Sequence, residues 1–151
     1  MATATYIPLQ TITLSSTASS VTFSSLPTKY KDFVLVAKST SSSTGPFDQG
    51  IQFNSDTTAN YTSLVMYASG TSKATYTALN NVNQAYLDFY GSVTSGFNTV
   101  NVTHILGAGD PNKETNVITQ SSRVSSGIDL IGSYWRVKNQ VTSIEYFLIG
   151  G

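Results

Sequence analysis

The sequence contains no cysteine, so disulfide bonds and thiolate-bound metals are excluded, and cysteine usage says nothing about the redox compartment. Charge is also scarce, because only 11% of the residues are charged and eight basic residues balance eight acidic ones. A neutral chain lacks the basic surface that nucleic acid or an anionic membrane would bind, so neither is predicted as a partner. Because net charge helps to keep copies of a protein apart, we expect this chain to self-associate.

Long apolar runs are missing as well. The N-terminus has no basic residues followed by an apolar stretch, so no secretory signal is predicted, and no later stretch is long enough to cross a membrane as a helix. No window shows apolar residues at the i, i+3, i+4 spacing of an amphipathic helix. With 151 residues, the chain has the length of one domain.

Short segments of alternating apolar and polar residues recur between turn-forming residues, which predicts strands. Thr is frequent at their polar positions, because its branched Cβ suits a strand and its hydroxyl suits water. The pattern predicts one all-β domain over residues 1–151: an antiparallel, jelly-roll-like β-sandwich of about 8–10 strands with little or no helix, and with residues 1–8 as an N-terminal arm. The predicted strands are residues 9–14, 20–23, 33–38, 50–54, 61–69, 85–90, 99–106, 116–124, 132–137 and 141–149.

One predicted strand has no alternation. The run Phe33-Val34-Leu35-Val36-Ala37 is apolar throughout. A continuous apolar run is typical of a strand that is covered on both faces. We therefore expect this strand in the middle of a sheet.

His104 is the only histidine, so any Ser-His-Asp site or histidine-ligated metal would depend on it. Alternation places it on the same strand face as Val100, Val102 and Leu106, where we expect a partly buried, hydrogen-bonded side chain. The eight acidic residues are scattered, although a glycan-degrading enzyme with two carboxylates across a cleft stays open as an alternative. No catalytic residue, metal ligand or cofactor is predicted, and the chain is not expected to be an enzyme.

Aromatic residues are the best candidates for contacts with a partner or ligand. The chain has nine tyrosines, seven phenylalanines and one tryptophan, and such side chains anchor interfaces and stack on sugars. Tyrosines near predicted strand ends or turns are candidates, together with the apolar N-terminal arm. The candidate contact residues are Tyr6, Ile7, Pro8, Leu9, Tyr30, Tyr61, Tyr76 and Tyr134. Trp135 follows Tyr134, so alternation predicts that the two side chains lie on opposite faces of their strand.

Several segments of the sequence, taken in chain order, are similar to those of a known protein family. They are YIPLQTITL (6–14), ASSVTFSSLP (18–27), YKDFVLV (30–36), IQFNSD (51–56) with Asn60-Tyr61-Thr62, and Trp135 with VTSI (141–144). In these segments the chain resembles a family of small jelly-roll-type virion structural proteins of tailed bacteriophages. The most specific matches are Phe-Asn-x-Asp followed by Asn-Tyr, and the late Trp followed by Thr-Ser-Ile. The chain departs from the family after Ile144, where family members continue into a longer loop and one more strand.

The resemblance implies a jelly-roll fold, a location in the virion after synthesis in the host cytoplasm, and no known catalysis. It points to a capsid decoration or cement protein, or to a tail- or fibre-associated module, with other virion proteins as partners. With the neutral surface, it favours a homo-oligomer, for which a trimer is the expected state. The alternative function is a carbohydrate-binding module that recognises a host-surface glycan.

Overall fold

The computed structural model describes residues 6–42, 44, 47–69, 72–93, 95–123 and 127–150, apart from the side chains of residues 69, 72–76, 90–92 and 123. The residues it describes form ten strands and no helix. The strands are β1 (Ser20–Phe23), β2 (Phe33–Ser39), β3 (Phe47–Phe53), β4 (Tyr61–Ser69), β5 (Ser72–Val82), β6 (Ala85–Val93), β7 (Thr99–Leu106), β8 (Thr115–Arg123), β9 (Gly127–Trp135) and β10 (Ile144–Ile149).

The strands form two antiparallel sheets that pack against each other. The four-stranded sheet has the order β1-β10-β3-β6, and the six-stranded sheet has the order β2-β7-β8-β9-β4-β5. Strand β6 lies across β8 and β9 of the other sheet. If the meander β7–β9 is counted as one strand position, the two orders are those of an eight-stranded jelly roll. The predicted β-sandwich with jelly-roll-like order is therefore confirmed.

The strand predictions are largely confirmed, with one error and one omission. Nine of the ten predicted segments overlap an observed strand, and those at residues 20–23, 61–69 and 99–106 have the observed bounds. The predicted strand at residues 9–14 is wrong, because this segment is exposed and has no regular structure. Its alternation of Ile12 and Leu14 with threonines suits a strand, but no described strand pairs with it. Strand β5 escaped prediction because its sequence, SKATYTALNNV, has little apolar alternation.

The expectation that the apolar run at residues 33–37 lies in the middle of a sheet is wrong. Among the described strands, β2 forms an edge of the six-stranded sheet and pairs with β7 alone. Its two faces are both apolar, yet Val34 and Val36 are 39% and 66% exposed. The last strand, by contrast, is central: β10 lies between β1 and β3, so the residues after Ile144 complete the four-stranded sheet.

The most specific motif residues meet in one corner of the core. The rings of Phe53, Tyr61 and Trp135 pack together, with centroid separations of 5.6 Å to 6.3 Å, and all three are buried. The backbone N–H of Phe53 donates a hydrogen bond of 2.9 Å to the Tyr61 hydroxyl. Trp135 Nε1 donates a hydrogen bond of 2.6 Å to Asp56 Oδ2. The motif residues Phe53, Asp56, Tyr61 and Trp135 therefore build a structural corner.

Asn54 ties this corner to the segment before β10. Its φ of 52° lies in the left-handed region, which Asn tolerates better than most residues. Its Oδ1 accepts hydrogen bonds from the backbone N–H groups of Thr142 (2.8 Å) and Ser143 (3.1 Å), and its Nδ2 donates to the carbonyl of Gln140 (2.7 Å). These bonds position the chain for its entry into the central strand β10.

Candidate functional site

The six-stranded sheet buries many polar side chains among the apolar ones on the face that it turns towards the core. Along β7 the buried residues are Thr99, Asn101, Thr103 and Ile105, which alternate with outward-facing residues. The hydroxyls of Thr103 and Thr119 hydrogen-bond each other at 3.0 Å, and Asn101 Nδ2 donates to a carbonyl of β6 at 3.3 Å. Pairing of this kind offsets much of the cost of burying polar groups.

Two acidic side chains belong to this polar interior. Asp88 Oδ2 accepts hydrogen bonds from Gln49 Nε2 and Ser121 Oγ, both at 3.3 Å. Asp129 Oδ2 accepts one from the backbone N–H of Phe89 at 3.3 Å. Asp88 is fully buried and Asp129 is 3% exposed. Because both carboxylates lie inside the sandwich, they do not line a cleft that a glycan could enter.

Gln49 on β3 extends the network from Asp88 to the neighbouring strand β10 and to β2 of the other sheet. Its Oε1 accepts hydrogen bonds from Ser39 Oγ, at 3.2 Å, and from the Tyr146 hydroxyl. Burial raises the pKa of Tyr146 to about 12. The phenol thus stays protonated and able to donate at any physiological pH.

The outward face of the same sheet carries a patch of apolar side chains. We call this surface the apolar sheet face. It consists of Val34 and Val36 on β2, Val100, Val102 and Leu106 on β7, Ile118 on β8, Ile128 and Leu130 on β9, and Leu64 and Met66 on β4. Nine of the ten are at least 37% exposed, and Val102 is half-buried. A single exposed apolar residue is ordinary, but a contiguous apolar patch marks an interaction surface.

Strand register makes the patch contiguous. One row runs across five strands through Val34, His104, Ile118, Gly132 and Leu64. The next row, two residues further along each strand, is Val36, Val102, Gln120, Leu130 and Met66. Among the side chains that the structure describes on this face, Lys38 at one corner is the one Lys, Arg, Asp or Glu. Depletion of charge is typical of the centre of a protein interface.

His104 lies within the apolar sheet face. Its cross-strand neighbours are Val34 and Ile118, which offer no group to orient an imidazole for acid–base chemistry. It shares the face of Val100, Val102 and Leu106 as predicted, but the expectation of a partly buried residue is wrong, because the side chain is exposed. The reason is that β7 turns its apolar side outward.

The candidate residues of the N-terminal arm lie next to this surface. Tyr6, Ile7, Pro8 and Leu9 are all exposed, by as much as 67% for Tyr6. With the edge of the sandwich they border a groove of about 1090 Å³, to which the outward-facing Val34 also contributes. The arm therefore adds apolar surface beside the edge strand β2.

The four tyrosine candidates outside the arm do not gather into one site. Tyr30 packs against the core with its ring 5.1 Å from Lys29 Nζ, and Tyr61 is completely buried. Tyr61 is therefore a core residue and not a contact residue. Its burial also raises the pKa of its hydroxyl above that of an ordinary tyrosine. The backbone of Tyr76 belongs to β5, but its side chain is outside the described part of the structure. Tyr134 is half-buried on the outward face, opposite to the buried Trp135, as alternation predicted.

Sequence reasoning missed the residues that form the apolar sheet face. Strands β7 and β9 each show one apolar and one mixed face, and the apolar face is the one normally assigned to the core. The one sequence feature that indicated an apolar surface was the run at residues 33–37, because both faces of this strand are apolar and each must be covered by something. From the sequence, this run was explained by a central position in a sheet, whereas in the structure the face with Val34 and Val36 is exposed.

No group of three or more His, Asp or Glu residues in the described ranges is arranged to hold a metal ion. The part of the chain that the structure describes also contains no helix able to span a membrane. Comparison of the chain with models of known families, with curated proteins and with solved structures finds no match.

Proposed function

We propose that this chain is a non-enzymatic structural protein of a phage particle, either a capsid decoration or cement protein or a tail- or fibre-associated module, which assembles through its apolar sheet face. The observation that carries the proposal is the orientation of the six-stranded sheet. Its buried face mixes Thr, Ser, Asn and Asp with core residues such as Phe33, Val65 and Trp135, and its exposed face contains ten apolar side chains. The resemblance to virion proteins is the reason for proposing a phage particle as its location.

An exposed apolar face favours association on energetic grounds. Removing apolar surface from water stabilises a complex by about 25 cal/mol per Å². The same outward positions could have carried polar residues without disturbing the core, since they do not pack inside the sandwich. A monomeric protein would gain solubility from such residues, so their absence favours a surface that a partner covers.

The test uses the phage that encodes the chain. Purified particles should contain the protein in a fixed ratio to the major capsid or tail protein, as measured by quantitative mass spectrometry, and cryo-electron microscopy should show where it binds. Leu64→Lys and Leu130→Lys, which place charge on the apolar sheet face at sites 47% and 40% exposed, should strongly reduce incorporation. The matched control is Asn98→Lys in the exposed loop between β6 and β7.

Circular dichroism and urea unfolding of the purified variants show whether they fold. Equal incorporation of the two face variants and the control would refute the role of the face. Absence of the protein from purified particles would refute the virion location. Recognition of a host glycan is the alternative: binding of the wild-type protein and of both face variants on an array of host-surface polysaccharides, without incorporation into particles, would replace the structural role.

A further inference from the structure

We propose that the partner of the apolar sheet face is the same face of a second copy, related by a two-fold axis that passes between β8 and β9. The inference rests on the proposed function, because it names the partner of the same surface. Three features of the face support this inference: its low charge, its area and the shape of its surface at the centre.

The charge of the face suits an identical partner. Two copies related by a two-fold axis bring the same patch against itself, so any charge near the axis would lie close to an identical charge on the other copy and be repelled by it. Lys38, the charged side chain described on this face, lies at a corner on the edge strand β2, far from the boundary between β8 and β9. The rows at the centre contain Ile118, Gln120, Leu130 and Gly132. Two such faces can therefore meet without repulsion.

The area of the face matches what a stable dimer needs. The five strands that carry the face, spaced about 4.8 Å apart, give a width of roughly 24 Å. Four outward rows, spaced about 6.8 Å apart along the strands, give a length of roughly 27 Å. The product is about 650 Å² on each copy, so two copies would bury about 1,300 Å² in total, which lies within the range of about 1,200–2,000 Å² for specific protein interfaces.

The centre of the face is self-complementary in shape. Ile118 on β8 and Gly132 on β9 are direct cross-strand neighbours, one on each side of the midline of the six strands. Ile118 projects from the face and is 45% exposed, whereas Gly132 leaves a gap, since a Cβ built there would meet nothing within 4 Å. A two-fold axis that lies in the interface and runs between the two strands, parallel to them, places each Ile118 over the Gly132 of the other copy. Both contacts form at once.

The experiment is sedimentation equilibrium of the purified full chain over a wide concentration range. We expect a monomer–dimer equilibrium with a dimer of twice 16.1 kDa, about 32 kDa. Ile118→Lys and Gly132→Glu should each weaken the dimer at least about 30-fold, because each copy then places a like charge near the axis. An equimolar mixture of the two variants should recover most of the affinity, since the introduced lysine then faces the introduced glutamate. Asn98→Lys should leave the equilibrium unchanged.

Both substitutions are at exposed positions, so the variants should keep the fold, and urea unfolding checks this. As a second measurement, the cysteine-free chain allows Ile118→Cys and Gly132→Cys copies to be mixed and oxidised. The mixture should form intermolecular disulfides faster than the same variants paired with Asn98→Cys copies. Equal rates would overturn the proposed register.

A species that stays monomeric at all concentrations, or the trimer that the resemblance suggests, would overturn the inference. A dimer that neither variant weakens would do the same. These failures are distinct from failure of the proposed function. If the wild-type protein is monomeric in solution but Leu64→Lys still abolishes incorporation into particles, another virion protein covers the face and only the inference falls.

Discussion

Replacing Asp56 by asparagine should lower the free energy of unfolding by about 1 kcal/mol at pH 7 and should remove the loss of stability that the wild-type protein shows in acid. Partial burial of Asp56 opposes its ionisation, but hydrogen bonds from Thr58, Asn60 and Trp135 outweigh it and lower the pKa of the carboxyl from 3.8 to about 2. The Trp135 bond is 2.6 Å long and the Asn60 bond is 2.9 Å long. The ionised form is therefore favoured in the folded state.

The magnitude follows from the pKa. A change from 3.8 to about 2 corresponds to at most about 2.4 kcal/mol. Because Asp56 is partly exposed, solvent screening reduces this to about 1 kcal/mol. A folded-state pKa below that of the unfolded chain gives stability that is fully present above about pH 4. That stability is lost as the pH falls through 2.

Urea unfolding at several pH values between 2 and 7 measures this contribution. The difference between the wild-type protein and Asp56→Asn should shrink from about 1 kcal/mol at pH 7 towards zero near pH 2. Trp135→Phe keeps the aromatic packing but removes one donor, so it should raise the pKa of Asp56, measured by NMR titration of the carboxyl. A difference that is constant from pH 7 to pH 2, or an Asp56 pKa that is the same in Trp135→Phe, would refute the reasoning.

Further substitutions test other parts of the fold by urea unfolding. Gly109→Ala should lower the free energy of unfolding by about 2–3 kcal/mol, because its Cβ would lie 2.2 Å from the backbone oxygen of Tyr30. Gly132→Ala, where the Cβ would meet nothing within 4 Å, should change it by less than about 0.5 kcal/mol. Equal effects of the two substitutions would contradict this expectation. Tyr61→Phe should cost about 1–3 kcal/mol, because a buried backbone N–H loses its acceptor, and a smaller loss would show that water replaces the hydroxyl. Burial raises the pKa of Tyr146 to about 12, so the neutral phenol is favoured in the folded state and stability should decline above pH 10; ultraviolet titration showing all tyrosines ionised in the folded protein at pH 11 would contradict it.

Much of the fold could be predicted from local pattern. Alternation and turn residues located nine of the ten strands, because the two faces of a strand in a sandwich meet different surroundings. The approach failed where that condition does not hold. At residues 9–14 an alternating segment pairs with none of the described strands, and β5 forms through its pairing with β4 although its own sequence alternates little. Backbone pairing of this kind depends on neighbours that are distant in sequence.

The candidate site was harder to predict. Sequence reasoning identified exposed arm residues such as Tyr6, and it placed His104 on the right face of its strand. It also selected Tyr61, which is buried, because proximity to a strand end does not reveal packing against Phe53 and Trp135. The residues of the apolar sheet face were assigned to the core or left unremarked.

By itself, the sequence determined the class of the protein: a neutral, cysteine-free, all-β chain whose strands have two chemically distinct faces. Only the tertiary structure decided which of those faces is buried. Alternation reports that Val100 and Asn101 point in opposite directions, but burial depends on what the other sheet presents. Strand β6 offers a carbonyl to Asn101, and β8 offers the Thr119 hydroxyl to Thr103, so the side of β7 that carries these two residues can face the core. The apolar side is then exposed.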